Sequence, residues 1–287
     1  MSAKILLQLD PDNQPSVFDS VVAVDAGVEQ LFRHGSVEPS QVRDLVYGCI
    51  FTRGGEDLRK TAIFVGGTQV GPAEELFAQV KKTFFGPMRV SVMFDANGCN
   101  TTAAAAVIAA SRHAELRGAT ALVLGGTGPV GQRVARLLAS AGATVRVGSR
   151  QLDKSQTVCE SLRQHHAAGK FTPVLAKSHA ELDEALSGVS IVVAAGAPGV
   201  QLLSAEQRSK HGSLRVAIDL NAVPPLGLAG IEVTDKAKEQ AGVFCYGALG
   251  VGGTKMKIHR AALKKLFTDN KFVLDAEEIF ALGQEFK

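Results

Sequence analysis

The residues with the clearest chemical purpose are Gly126, Thr127, Gly128, Pro129, Val130 and Gly131, which follow the apolar run Ala121 to Leu124. Glycines at this spacing form a backbone cradle for a pyrophosphate. The first permits a tight turn, the second lets the backbone approach the phosphates, and the third lets helix and strand pack closely. Unpaired N–H groups at the start of the following helix then face the anion. Apolar residues at Val130, Val134, Leu137, Leu138 and Ala141 supply that helix. In an NAD-selective version, a carboxylate about 20 residues further on accepts hydrogen bonds from the ribose. Here the second strand, Thr144 to Val147, runs into Gly148-Ser149-Arg150. A ribose 2′-phosphate would be repelled by a carboxylate, whereas Arg150 can grip it bidentately and Ser149 can donate a hydrogen bond. The expected cofactor is therefore NADP. Lys154 has two open readings, a second cation on the phosphate or a solvated helix residue.

Ligands of open α/β sheets sit beyond the carboxyl ends of the strands, so the segments that follow strands are the place to look for a second reactant. Three are polar and well punctuated: "DANGCNTT" after Phe94, "DLNAVPPLG" after Ile218, and "FTRGG" at Phe51 to Gly55. A fourth, "GALGVGGTKMKIHRA" from Gly247, places Lys255 and Lys257 early in the last helical region. Gly196 and Pro198, after the domain's fourth strand, should run beside the nucleotide. Other reactive residue types read as structural. His165 and His166 are adjacent, so on a helix they diverge, and no metal-ligand spacing surrounds them. His259 is a lone histidine in a helical stretch, for which packing is the favoured role. Cys49, Cys99, Cys159 and Cys245 lie far apart without a Cys-x-x-Cys pair, so neither disulfides nor a metal site are expected.

The elements that must position these groups occupy more than one domain. Nearly 120 residues precede the glycine motif, and "KILLQL", "TAIFVG" and "RVSVMF" within them read as strands alternating with helical stretches. The alanine-rich stretch Asn100 to Leu116 reads as a connecting helix. The expected fold class is α/β: a Rossmann-type doubly wound parallel sheet preceded by a smaller α/β substrate domain, with a cleft between them. The expected division is 1–117, 118–250 and 251–287, the last part being helices that pack back on the first domain. With 46% hydrophobic and 21% charged residues the composition is that of a globular protein. A net charge of +3 without long like-charge runs gives no reason to invoke nucleic acid or membrane partners. A charge within the first ten residues and the lack of a long apolar run lead us to expect a cytoplasmic protein without a targeting peptide.

Ten segments, in order, carry a resemblance: "PSVFDSVVAVDAG", "TRGG", "TAIFVGG", "FFGP", "DANGCNTTAAA", "GGTGPVG", "SRQLDK", "DLNAVPPLGLAGIEVTDK", "GALGVGGTKMKIHRA" and "DAEEI". Their order and spacing resemble the NADP-dependent methylene-tetrahydromethanopterin dehydrogenases of bacterial one-carbon metabolism, which are related to the methylene-tetrahydrofolate dehydrogenases. The resemblance spans essentially the whole chain. It implies a homo-oligomeric enzyme that passes a hydride from the methylene group of a reduced pterin to NADP, and some members accept tetrahydrofolate as well as tetrahydromethanopterin. Folate enzymes that are also cyclohydrolases share a Tyr-x-x-x-Lys pair. Here Phe51 stands four residues after Tyr47, so no hydrolytic activity is expected.

Under that resemblance Asp95 and Asp19 become candidates for binding the NH-rich edge of the pterin or countering the cation that hydride loss creates, with helix or turn capping as the competing role. Asn97, Asn100, Thr101 and Thr102 are candidates for hydrogen bonds to the pterin, although Asn100 could equally cap the connecting helix. Arg53, Lys255 and Lys257 could meet anionic groups on the pterin's tail or form surface ion pairs. Asn221, with the turn at Pro224 and Pro225, is expected to line the nicotinamide pocket. Two other functions compete: a shikimate-type NADP dehydrogenase, which would need a Lys and Asp pair to move an alcohol proton, and a non-catalytic NADPH-sensing module, which would have no use for the polar loops.

Overall fold

The structure, a computed structural model, describes residues 2–287. The chain forms two compact units, Met1–Thr101 with Met256–Leu282, and Thr102–Lys255 with Gly283–Lys287. In chain order the elements are β1 (Ile5–Leu9), α1 (Val17–Asp25), β2 (Gln30–His34), α2 (Pro39–Phe51), β3 (Thr61–Val65), α3 (Val70–Thr83), β4 (Ser91–Phe94) and α4 (Cys99–Ser111). They continue with β5 (Thr120–Leu124), α5 (Pro129–Ser140), β6 (Thr144–Ser149), α6 (Leu152–His165), β7 (Lys170–Leu175), α7 (His179–Leu186), β8 (Ile191–Ala194), α8 (Ala205–Lys210) and β9 (Val216–Asp219). The remainder is β10 (Lys238–Gln240), β11 (Val243–Tyr246), α9 (Ala248–Leu266), β12 (Val273–Leu274) and α10 (Ala276–Gly283).

The first unit is built on a parallel sheet in the order β12-β4-β3-β1-β2. All five residues of β3 are buried, as expected for a central strand covered on both faces. Edge strand β2 is mostly exposed, and this weak patterning is why no strand was expected there. Strand β12 lies in a tail that reads as helical throughout. Its chain is drawn out beside β4 because Ser91 Oγ donates to Asp269 O at 2.7 Å and Asn270 Nδ2 donates to Arg89 O at 3.0 Å.

The second unit carries a seven-stranded sheet, β10-β11-β9-β8-β5-β6-β7, parallel except for β10. Counting from β5, this is the doubly wound order 3-2-1-4-5-6 with one antiparallel strand added at the edge. Val123, Val145, Val147, Val192 and Val193 are fully buried in its centre, and α5 buries Val134, Leu137 and Leu138. Helix α4 is apolar all round, and Ala103 to Ala110 are at most 1% exposed. A helix without a polar face must be enclosed, and its small side chains let neighbouring elements come close.

Because that enclosure has no spare volume, Ala106→Leu should lower the unfolding free energy by about 1 to 3 kcal/mol through overpacking. A urea titration should show an earlier midpoint with an unchanged slope; an unmoved midpoint would contradict the close packing of α4.

Candidate active site

The nucleotide side begins where β5 ends. Gly125 takes φ +68°, and a Cβ there would lie 2.5 Å from Gly196 Cα, so the left-handed turn and the close contact with the chain leaving β8 both require glycine. The tight turn thus belongs to Gly125, one residue before the first glycine of the motif. Gly126 N donates to Gly148 O and Gly128 N to Gly125 O, both at 3.1 Å, and α5 starts at Pro129. Gly131 serves the third expected purpose: a Cβ on it would stand 2.5 Å from Gly125 O.

This turn opens into a cavity of about 550 Å³. Gly125, Thr127 and Gly128 form one wall and Gly196 another, while Gly126, Pro129, Val130 and Gly131 are not part of the lining. At the end of β6 the cavity meets Ser149, Arg150, Gln151 and Lys154, and Lys177 joins them from the loop after β7. Among the described residues the lining holds three cations and no carboxylate. A glycine cradle at one end and cationic donors at the other match the pyrophosphate and 2′-phosphate of NADP.

In the first unit, polar residues gather at the carboxyl ends of β1, β3 and β4. Asp10 is fully buried and accepts hydrogen bonds from Asp12 N and Ser16 N. Burial is the main reason its carboxyl lies above the usual range, partly offset by those bonds. Ser16 caps α1 through Asp19 N, which holds Asp19 beside Gly66. The fully buried ring of His259 stacks on Phe64 at 5.8 Å, and its Nε2 lies 3.9 Å from Asp19 Oδ1. Phe18, half exposed, lies 6.3 Å from the same ring.

Several expected ligands serve the fold. Asp95 is solvent-excluded, accepting bonds from Asn100 N and Thr101 N through Oδ1 and from Thr101 Oγ1 through Oδ2 at 2.7 Å. It caps α4, where the helix dipole favours a carboxylate. Asn100 is equally enclosed, with Nδ2 donating to Phe94 O and Asp275 Oδ1. The Arg53 guanidinium donates to Ala3 O, at the amino end of β1 and away from the carboxyl ends of the strands. Asn221 directs its side chain at Val223 N and Pro225 O, within the loop that leaves β9. Asn97, by contrast, is exposed in a left-handed conformation, and Thr102 is half-buried. Lys255 is half-buried and shares a face of α9 with His259, four residues on, whereas Lys257 is exposed and projects from another side.

A family model described as methylene-tetrahydromethanopterin dehydrogenase, N-terminal, matches residues 17–97. The bifunctional protein MdtA of Methylorubrum extorquens is 46% identical over 287 residues, with 99% of both chains covered. The NAD(P)-dependent methylenetetrahydromethanopterin dehydrogenase of the same organism is 31% identical, again with 99% of both chains covered. The chain belongs to the methylene-tetrahydromethanopterin dehydrogenase family. It is accordingly an oxidoreductase. Among solved structures, shikimate 5-dehydrogenase from Listeria monocytogenes aligns with a TM-score of 0.57 at 12% identity, covering 98% of this chain and 96% of that one. Quinate dehydrogenase from Corynebacterium glutamicum gives 0.55 at 14%, covering 98% and 99%. These likenesses establish a shared fold.

For this family member, sequence reasoning missed two residues near the candidate site, Lys177 and Phe18. Lys177 follows a strand whose pattern was too weak to recognise, so the rule that ligands lie past strand ends was never applied to it. His259 is packed as expected, buried and stacked on Phe64, and the fold adds Asp19 from 240 positions away in the chain. Phe18 lies in a resemblance segment, and its exposure is a property of the folded chain alone. One consequence is directly measurable. Charged hydrogen bonds contribute about 1.5 to 3 kcal/mol, so Arg150→Ala and Lys177→Ala should each weaken NADP about 10- to 100-fold and leave NAD nearly unaffected. Titration calorimetry with both nucleotides checks this, and equal losses for NADP and NAD would remove these side chains from the 2′-phosphate.

Proposed function

We propose that this chain oxidises the methylene bridge of methylene-tetrahydromethanopterin to the methenyl level with NADP, and that methylene-tetrahydrofolate is accepted as a second carrier. The observation that carries the reading is the carboxylate-free cavity beyond β5 and β6, with Ser149, Arg150, Lys154 and Lys177 where the second ribose would lie. NADP, when bound, accepts the hydride. Everything else falls to side chains that bind and orient.

The chemistry asks little proton transfer of the protein. When a carbon between two nitrogens loses hydride, the positive charge spreads over both nitrogens and the hydrogen leaves with its electron pair. No proton need be taken from the reacting carbon. The requirements are near-attack placement, about 3 to 3.5 Å between the reacting carbons, and accommodation of the new charge. In this reading the reduced pterin occupies the carboxyl ends of β1, β3 and β4. Asp19, fixed by the Ser16 cap, supplies the countercharge, and His259 behind it holds its orientation. Phe18 offers an exposed ring for the apolar face of the pterin. Asn97 and Thr102 supply hydrogen bonds, and Lys255 with Lys257 meets the anionic tail. Asp95 acts at one remove, by holding Thr101 at the start of α4.

Reduced-nicotinamide absorbance distinguishes the carriers. NADP reduction should appear with methylene-tetrahydromethanopterin, and more slowly with methylene-tetrahydrofolate. Asp19→Asn should lower kcat about 10- to 1000-fold while NADP affinity stays unchanged, the range expected when a group facing developing charge is neutralised. Turnover with neither pterin by a protein that binds NADP would overturn the proposal.

A further inference from the structure

The carboxyl end of β9 holds a carboxylate that this reading has not used. Asp219 is 1% exposed, and its partners are backbone N–H groups. Oδ1 accepts from Asn221 N at 3.0 Å and Oδ2 from Leu228 N at 2.8 Å, so one side chain ties together both ends of the loop that leaves β9. Within the loop, Asn221 Nδ2 donates to Pro225 O at 3.2 Å and Val223 N donates to Asn221 Oδ1 at 2.9 Å. The far end approaches so closely that a Cβ on Gly227 would lie 2.9 Å from Asp219 Oδ1. Gly227 O in turn accepts from Leu202 N at 2.8 Å and Leu203 N at 3.1 Å, and Leu202 is part of the nucleotide cavity's wall.

The sheet order shows which half of the nucleotide this loop attends. Ser149 and Arg150 follow the second strand of the 3-2-1-4-5-6 series and take the adenosine half. The other mononucleotide half is built on strands 4, 5 and 6, and β9 is the fifth. A buried carboxylate is costly unless its hydrogen bonds are met, so one whose partners are the backbone of a single loop is committed to the shape of that loop.

We propose that Asp219 is a positioning residue for hydride transfer: by clamping residues 220–228 and, through Gly227, the backbone at Leu202, it fixes the wall against which the nicotinamide ring is held. This rests on the dehydrogenase reading above. Asp219→Asn keeps the shape of the side chain but turns one acceptor into a donor facing an N–H. Asn221→Ala loosens the same loop from inside and leaves the buried charge in place. The assay reads kcat for pterin-dependent NADP reduction beside affinity for adenosine 2′,5′-bisphosphate, which carries the adenosine half of NADP and no nicotinamide.

Both variants should lose kcat about 10- to 100-fold, the effect expected of a misplacement near 1 Å, and bind the bisphosphate like the wild type. If kcat is unchanged in either folded variant, or falls only in parallel with bisphosphate affinity, the residue is merely structural and the proposal is overturned. Should Asp219→Asn not fold, Asn221→Ala decides alone. The wild-type arm tests the dehydrogenase reading separately: bisphosphate binding without pterin turnover would sink that reading, and the proposal with it.

Discussion

The nucleotide side depends on one close approach of two backbones. The turn leaving β5 and the chain leaving β8 meet at Gly125 and Gly196, where a Cβ on the first would stand 2.5 Å from the Cα of the second. With both residues lacking side chains, β5 and β8 can pair along Ala121 to Leu124 until the sheet ends. The chain then reverses within a few residues, and α5 begins at Pro129, directly after Thr127 and Gly128 in the cavity wall. A second contact, Gly131 against Gly125 O, brings α5 down onto the strand. The cradle shaped for a pyrophosphate is thus a consequence of packing density: at Gly125, Gly131 and Gly196 nothing bulkier than hydrogen fits.

Buried carboxylates divide the remaining work. Asp95 and Asp219 both stand at the carboxyl end of a parallel strand, both are almost wholly buried, and both accept backbone N–H groups that their own loop or helix would otherwise leave unmet. Each converts a loop that could sample many shapes into one. Asp19 differs in being partly exposed at the start of α1, with His259 behind it. Burial therefore separates the two carboxylates that organise backbone from the partly exposed one, although the residue type is the same.

Much of the architecture was legible in the chain itself. The strand, glycine turn and helix over Ala121 to Ala141 gave themselves away through periodicity, and Ser149 and Arg150 stood where a carboxylate would otherwise be. These are local features, with spacing set by the geometry of a strand and a helix, so a linear reading reaches them. Weakly patterned elements escaped it: β2 is an exposed edge, β7 has little alternation, and β12 is two residues that pair with Val92 and Met93 of β4.

Sequence alone determined the fold class, the phosphate cradle and the cationic strand end that matches a ribose 2′-phosphate, because each follows from residues within about 20 positions of one another. Only the tertiary structure decided which partners the polar residues take. Asp95, Asn100 and Asn221 turned inward to satisfy backbone groups, and Arg53 reached the opposite end of its sheet. Lys177 and His259 gained their places from strand order and from a helix that returns to the first sheet. The physical reason is that a polar side chain takes whatever partner the folded backbone sets beside it, and for these residues the neighbours are decided by how strands and helices assemble.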